Sequence, residues 1–208
     1  MWLVYSVMPD YYTEPAAFAS AEIKVKGSRF LAQVARVQTT DAALQELRRV
    51  KKKHYDATHN CSAWRIGSNG EETRFSDDGE PNGTAGTPIL RHIEGADITN
   101  VIVVVTRYYG GTKLGTGGLA RAYGDAAGAA LEAVRRVKRT VRDAVVVQFD
   151  YADTSPAMHT IGQYDVEIAD SVYGDKTELS LAIRQSQTAE FKAALVEALA
   201  GRANILSG

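Results

Sequence analysis

Apolar and polar residues alternate along the first part of the chain in a pattern that predicts a β-hairpin followed by a helix. Between Glu22 and Val37 the alternation fits two strands, separated at Gly27-Ser28. Thr40 or Asp41 then stands where a helix N-cap is expected. The predicted helix ends at Lys51–Lys53, where positive charge complements the negative end of the helix dipole.

A strand and a second helix are predicted at the centre of the chain. Asn100–Thr106 is mostly β-branched, which is typical of a strand covered on both faces. Shorter strands are predicted over residues 61–66 and 73–75. In the predicted helix Leu119–Val134, glycine and alanine recur at three- and four-residue spacing, so this helix can pack closely against a sheet.

The last third of the chain predicts a separate pattern of elements. Two alternating runs flank the turn Tyr173–Lys176, as a hairpin requires. The predicted order is strand 144–150, helix 154–163, strand 165–173, strand 177–184, helix 187–200 and strand 203–206. This β-α-β-β-α-β order is the ferredoxin-like pattern, so the sequence predicts an α+β protein.

Charge changes sign where these two patterns meet. The chain has a formal net charge of −1, but residues 22–142 carry +7 and residues 143–208 carry −6. The basic part ends in the cluster Arg135–Arg142. We therefore predict two domains, residues 18–140 and 143–208. A basic part joined to an acidic part indicates electrostatic interactions with partners.

Composition limits the class of protein and its location. No apolar run reaches the eighteen or so residues that span a membrane. The apolar segment Met1–Met8 is short and has no basic region, so we predict no secretory signal there. Cys61 is the single cysteine, which excludes an internal disulfide and favours a cytoplasmic location. His59, two residues away, could pair with Cys61 as a nucleophile, but the spacing favours a structural role for both.

An acidic segment, residues 76–86, carries three carboxylates within four residues. Asp77, Asp78 and Glu80 could hold Mg²⁺ through oxygen ligands or bind basic residues of a partner. They could equally form turns and cap the helix that follows. The segment lacks the ligand spacing of an EF-hand, and we predict no metal site.

A glycine-rich segment, residues 106–123, has five glycines between Gly110 and Gly118. It precedes the predicted helix, where free backbone amides attract anions. It is neither a P-loop nor a convincing dinucleotide motif. Tyr108, Tyr109 and Tyr123 could stack on bases or simply be buried. The residues predicted to bind phosphate or nucleic acid are Arg107, Gly110, Gly111, Lys113, Gly115, Gly117, Gly118 and Arg121.

Together with His59–Trp64, these two segments resemble the signature of the Impact family, which includes a eukaryotic translation regulator. The resemblance covers roughly residues 20–135, and the second half resembles the C-terminal domain of bacterial members. It implies a first domain with the fold of ribosomal protein S5 domain 2. It implies a ferredoxin-like second domain similar to the C-terminal domain of elongation factor G. It supplies no catalytic residue and no cofactor.

These features favour a cytoplasmic, translation-associated protein that binds RNA or ribosomal components through its basic domain. One alternative is a metal-assisted phosphotransferase or hydrolase that uses Asp77, Asp78 or Glu80 beside the glycine-rich segment. Another is a protein–protein interaction module whose acidic segment binds a basic partner. The metal-assisted reaction requires the acidic and glycine-rich segments to lie side by side, and the most informative observation is whether they line one cleft.

Overall fold

The computed structural model describes residues 10–207, so the segment Met1–Met8 lies outside the described residues. The chain divides into two compact units. One consists of residues 12–139, and the other of residues 140–207 together with residues 10–11. No helix within residues 10–207 is both long and apolar enough to cross a bilayer.

The first unit is built on a five-stranded antiparallel sheet. Its elements are β1 (Tyr11–Pro15), β2 (Ala19–Val25), β3 (Ser28–Arg36), α1 (Thr40–Lys53), β4 (His59–Ile66), β5 (Glu72–Ser76), α2 (Gly86–Gly95), β6 (Val101–Tyr108), α3 (Gly115–Ala133) and β7 (Arg136–Thr140). The strand order of the main sheet is β2-β3-β6-β4-β5, and β1 pairs separately with β7. Because β6 lies between β3 and β4, it is the central strand.

Side chains of β6 alternate between two apolar layers, as its β-branched run predicted. Val103 and Val105 pack with α2 and α3 on one face of the sheet. Ile102 and Val104 pack with α1 on the other face. Burial on both faces explains why this strand has no polar residue before Thr106.

Two predicted helix starts are wrong. The N-cap of α1 is Thr39, whose hydroxyl accepts a hydrogen bond from the Ala42 amide at 3.2 Å, rather than Thr40 or Asp41. Helix α3 begins at Gly115 rather than Leu119. The φ angle of Gly115 is 71°, a left-handed conformation that glycine adopts without strain. Gly117 and Gly118 therefore lie in the first turn of a helix, not in a loop.

The second unit follows the predicted order of elements. It contains β8 (Arg142–Phe149), α4 (Thr154–Ile161), β9 (Val166–Tyr173), β10 (Thr177–Arg184), α5 (Thr188–Ala198) and β11 (Asn204–Ser207). All strand pairs are antiparallel, in the order β11-β8-β10-β9. Phe149, Leu181 and Phe191 belong to the core between the sheet and the two helices.

The basic cluster Arg135–Arg142 is largely used inside the protein. Arg136 donates hydrogen bonds to the carbonyl oxygens of Ala96 and Leu131. Arg139 binds Glu14 at 2.8 Å, and Arg142 binds Asp165 at 2.7 Å. The carboxylates of Glu14 and Asp165 offset the charges of Arg139 and Arg142, which reduces the positive charge that the cluster offers to other molecules.

Candidate functional site

Three segments of the first unit meet at the carboxyl end of β6. The Gly110 backbone touches the Gly27 backbone in the β2–β3 turn, because a Cβ atom built on Gly110 would lie 1.9 Å from the Gly27 carbonyl carbon. The Gly110 amide also donates to the Ser28 hydroxyl at 3.1 Å. From the α1–β4 loop, the Thr58 hydroxyl accepts from the Tyr109 amide at 3.0 Å. The glycine-rich segment is therefore held against two other loops.

A buried ion pair joins the acidic segment to the glycine-rich segment. Arg107 Nη1 lies 2.5 Å from Glu80 Oε1, and the two residues are only 5% and 9% exposed. The Tyr123 hydroxyl of α3 donates to the same oxygen at 2.8 Å. The Arg107 guanidinium also lies 5.4 Å from the Phe30 ring centre and 5.5 Å from that of Tyr109. These contacts link β6, α3 and the acidic segment.

One nitrogen of this guanidinium lacks a partner. Arg107 Nε is buried and has no hydrogen-bond acceptor within residues 10–207. A buried polar group without a partner typically costs about 1–3 kcal/mol. Arg107 is thus both an internal structural residue and a group with unused hydrogen-bonding capacity.

The three carboxylates of the acidic segment bind three different sets of partners. The Asp77 carboxylate accepts from the amides of Gly83, Ala85 and Gly86 at 2.8–2.9 Å, so it caps α2. Asp78 accepts from the Asn60 amide at 2.7 Å and pairs with Lys51 at 2.6 Å. Glu80 pairs with Arg107. Of the three roles left open for Asp77, the hydrogen bonds in the structure are those of a helix cap.

This separation bears on metal binding. No group of three or more His, Cys, Asp or Glu side chains within the described part of the chain is arranged to hold a metal ion. Asp77 and Asp78 are also occupied by backbone amides and Lys51. The arrangement gives the metal-assisted reaction no assembled set of ligands in residues 10–207.

Cys61 and His59 do not form a nucleophilic pair. Burial raises the pKa of the Cys61 thiol to about 12, so the thiol stays protonated at neutral pH. The thiol donates to the Asp77 carbonyl oxygen at 3.0 Å. His59 Nδ1 instead lies 2.7 Å from the Asp78 carbonyl oxygen. Burial also raises the pKa of Tyr123, which keeps its hydroxyl a donor to Glu80.

A cleft of about 420 Å³ opens beside the Glu80–Arg107 pair. Both the acidic and the glycine-rich segments line it, a point that the sequence left open. Its lining residues are Glu80, Pro81, Arg107, Tyr109, Lys113, Leu114, Gly115, Thr116 and Leu119. Four of these residues were not among the predicted site residues: Pro81, Leu114, Thr116 and Leu119. Pro81, Leu114 and Leu119 are apolar residues within otherwise polar segments, and that contrast is a signal by which the sequence could have identified them.

Not every predicted phosphate-binding residue lines this cleft. Gly110 and Gly111 are exposed at the end of β6, and Gly117 and Gly118 lie in the first turn of α3. Arg121 lies elsewhere, in a pocket of about 330 Å³ between α2 and α3 that also includes Arg91 and His92. The structure therefore brings Arg107, Lys113 and Gly115 together but separates Arg121 from them.

The N-terminus of α3 is open to a ligand. Leu114 stands at the N-cap position and gives no side-chain cap, and the first turn contains no acidic residue. Gly115, Thr116 and Gly117 are exposed. The first amides of a helix need acceptors from outside the helix, and its positive dipole end attracts anions.

Exposed tyrosines and lysines surround this end of the sheet. Tyr55 in the α1–β4 loop is 86% exposed, and Tyr109 is 48% exposed. The C-terminal end of α1 reaches the same place, because His54 Nδ1 lies 2.8 Å from the Tyr108 hydroxyl. The lysines of this edge that are exposed and have no ion-pair partner in the described residues are Lys26, Lys52, Lys53 and Lys113.

The fold and the site define a two-unit mixed α/β protein in which a basic, tyrosine-bearing edge surrounds one cleft. Comparison with known proteins identifies its family. The family described as Impact N-terminal domain matches residues 26–131, and a second family, described as a domain of unknown function, matches residues 147–202. The chain therefore belongs to the Impact family.

Relatives match over nearly the whole chain. IMPACT family member YvyE of Bacillus subtilis is 33% identical over 97% of this chain and 93% of its own length. IMPACT family member YigZ of Escherichia coli is 35% identical over 93% of this chain and 96% of its own length. A crystal structure described as that of an hypothetical protein aligns with a TM-score of 0.73 and 34% identity, over 97% of this chain and 98% of the other.

Proposed function

We propose that this protein is a translation-associated regulatory protein that binds RNA or ribosomal components through its first unit. The observation that carries the proposal is the group of exposed lysines and tyrosines around the carboxyl end of β6. Lysines neutralise backbone phosphates, and exposed aromatic rings provide stacking platforms for unpaired bases. The net charge of +7 over residues 22–142 supports the same function.

The predicted phosphate-binding residues have different parts in this proposal. Lys113 and the α3 amides from Gly115, Gly117 and Gly118 contact phosphate directly, and Gly110 and Gly111 let the backbone approach. Arg107 supports the cleft wall from within, since it is tied to Glu80. Arg121 contributes from the surface between α2 and α3.

The family supports the link to translation. Impact family members include a eukaryotic translation regulator, and we propose that the present chain acts on the same process in the cytoplasm. The buried free thiol of Cys61 is compatible with a reducing compartment.

We further propose the finer fold assignments. The first domain, residues 18–140, has the fold of ribosomal protein S5 domain 2. The second, residues 143–208, is ferredoxin-like and similar to the C-terminal domain of elongation factor G. The β-α-β-β-α-β order and the strand order β11-β8-β10-β9 support the second assignment.

RNA binding is testable through its salt dependence. A fluorescently labelled 12-nucleotide single-stranded RNA is titrated with protein between 50 and 200 mM KCl, and anisotropy is measured. The logarithm of the association constant is expected to fall linearly with the logarithm of the KCl concentration. The slope of this plot is negative. Replacing Lys52, Lys53 or Lys113 by Glu should make it less steep by about 0.7 for each phosphate that the variant no longer neutralises.

Lys176→Glu is the matched control, because Lys176 is exposed in the second unit and the substitution changes the charge equally. It should leave the slope unchanged. Binding without salt dependence, or an equal decrease in the control, would show that the lysines around β6 do not bind the RNA.

A further inference from the structure

The cleft and the open N-terminus of α3 are parts of one site with two chemically different halves. From this we infer that the site binds a phosphorylated nucleoside, its phosphate on the first turn of α3 and its base inside the cleft. The inference deepens the proposed function and rests on it for one source of the ligand, the end of an RNA chain. The other source is a free nucleoside monophosphate.

The phosphate half is the first turn of α3 together with Lys113. The turn has no side-chain cap and no acidic residue, and Gly115, Thr116 and Gly117 expose its backbone. Lys113 is exposed beside it and has no ion-pair partner within residues 10–207. One helix end and one lysine match a single phosphate group.

The base half is apolar. Pro81, Leu114 and Leu119 line the cleft together with the half-exposed ring of Tyr109. A volume of about 420 Å³ lies within the range of small-molecule sites and far exceeds that of a bare phosphate ion. Inorganic phosphate would leave this half empty, whereas a flat heterocycle fills it and stacks on Tyr109.

Polar atoms in the cleft wall add recognition of the base edge. Arg107 is nine-tenths buried, lines the cleft, and has an Nε donor without an acceptor in the described residues. Glu80, which also lines the cleft, is a carboxylate whose Oε1 accepts from Arg107 and Tyr123. A donor next to an acceptor complements the edge of a nucleobase, which carries both kinds of group.

The first test compares ligands by isothermal titration calorimetry on the full chain. The ligands are AMP, GMP, CMP, UMP, the corresponding nucleosides, and inorganic phosphate. At least one nucleotide is expected to bind at least tenfold more tightly than both its nucleoside and phosphate. Equal affinity for phosphate and all four nucleotides would show that the cleft does not bind the base. Equal affinity for nucleoside and nucleotide would show that the first turn of α3 does not bind the phosphate. Either result overturns the inference.

The second test blocks the phosphate half without damaging the helix. Thr116→Asp places a carboxylate in the first turn of α3, where it favours the helix dipole but repels phosphate. Nucleotide affinity is expected to fall about tenfold while the melting temperature stays equal or rises. Thr116→Asn is the control, since it is nearly isosteric and uncharged. Equal nucleotide affinity in both variants contradicts the placement of the phosphate.

Tyr109→Ala tests the base half, with Tyr55→Ala as a control for an exposed tyrosine outside the cleft. Only Tyr109→Ala should abolish the tighter binding of nucleotide relative to phosphate. If the Tyr109→Ala protein keeps this preference, the base does not stack on Tyr109.

The sources of the ligand are distinguished with a tetranucleotide carrying a 5′-phosphate and the same RNA without it. Tighter binding of the phosphorylated RNA than of any mononucleotide assigns the site to RNA ends. The reverse order assigns it to free nucleotides. If the 12-nucleotide RNA binds with a steep salt slope but no mononucleotide binds, the inference fails and the proposed function stands. If mononucleotides bind but the RNA does not, the proposed function fails and the inference stands for free nucleotides.

Discussion

Glu80 and Arg107 form a buried ion pair that connects the acidic segment to the glycine-rich segment. Burying two charges is unfavourable unless each is paired and hydrogen-bonded. Here Tyr123 adds a second donor to Glu80, and two aromatic rings cover the guanidinium. The pair therefore fixes the wall of the cleft rather than serving as a mobile charge.

Removing one member of this pair should be much more harmful than removing both. Glu80→Gln leaves a buried guanidinium without its counter-charge, and we expect a decrease of about 3–5 kcal/mol in the free energy of unfolding. Arg107→Met should cause a similar decrease by stranding the carboxylate. The double variant Glu80→Gln/Arg107→Met should recover part of it. Urea unfolding measures all three, and strictly additive effects would show that the two side chains are not coupled.

Part of this site was predictable residue by residue, and part was not. The β-branched run of β6 predicted a strand because both of its faces are buried, and the alternation of β10 did so because one of its faces is buried. The Glu80–Arg107 contact joins residues far apart in sequence, and no local pattern reports a contact of that kind. Asp77 had three possible roles in the sequence, and the cap is apparent only from the positions of three amides in the structure.

At the scale of elements, glycines occupy the places where β6 contacts the β2–β3 turn and where α3 begins. Glycine usually weakens helices, so the run Gly115–Gly118 predicted a loop, yet it forms the start of α3. The rest of this 19-residue helix and its packing on the sheet outweigh the local preference. Gly110 has a different role, since its lack of a side chain lets two backbones touch.

Gly110→Ala should separate the β2–β3 turn from the end of β6. The added Cβ would lie 1.9 Å from the Gly27 carbonyl carbon, a distance that backbone atoms cannot accommodate without moving. We expect a decrease of more than about 2 kcal/mol in the free energy of unfolding. Gly95→Ala is the control, because nothing lies within 4 Å of its added Cβ and alanine favours the helix. Thermal melts that show equal effects would contradict the close backbone approach.

On the scale of the whole molecule, the boundary of the first unit depends on Glu14. This side chain is fully buried in β1 and binds Arg36 at 2.9 Å, Arg139 at 2.8 Å and Asn100 at 3.1 Å. Burial opposes the ionised form, but the hydrogen bonds from Arg139, Arg36 and Asn100 outweigh it and lower the pKa of Glu14. Strand β1 thus ties the start of this unit to its end.

A fragment that retains β1 should be more stable than one that begins at the predicted domain boundary. We expect residues 12–140 to exceed residues 18–140 by at least about 2 kcal/mol in the free energy of unfolding, because the shorter fragment lacks Glu14. Glu14→Gln in the longer fragment is the control that isolates the charge. Guanidinium unfolding measures the difference, and equal stability of the two fragments would mean that β1 adds nothing to the first unit.

The position of β6 between β3 and β4 also sets an order of events during protein synthesis. The hairpins β2-β3 and β4-β5 leave the ribosome first, and neither pairs with the other in the finished sheet. The apolar strand Val101–Tyr108 is made later and pairs with both. An exposed β-branched segment of this kind is prone to aggregate. Because β3 and β4 both precede β6 along the chain, β6 can pair with strands on both of its edges as soon as it is made.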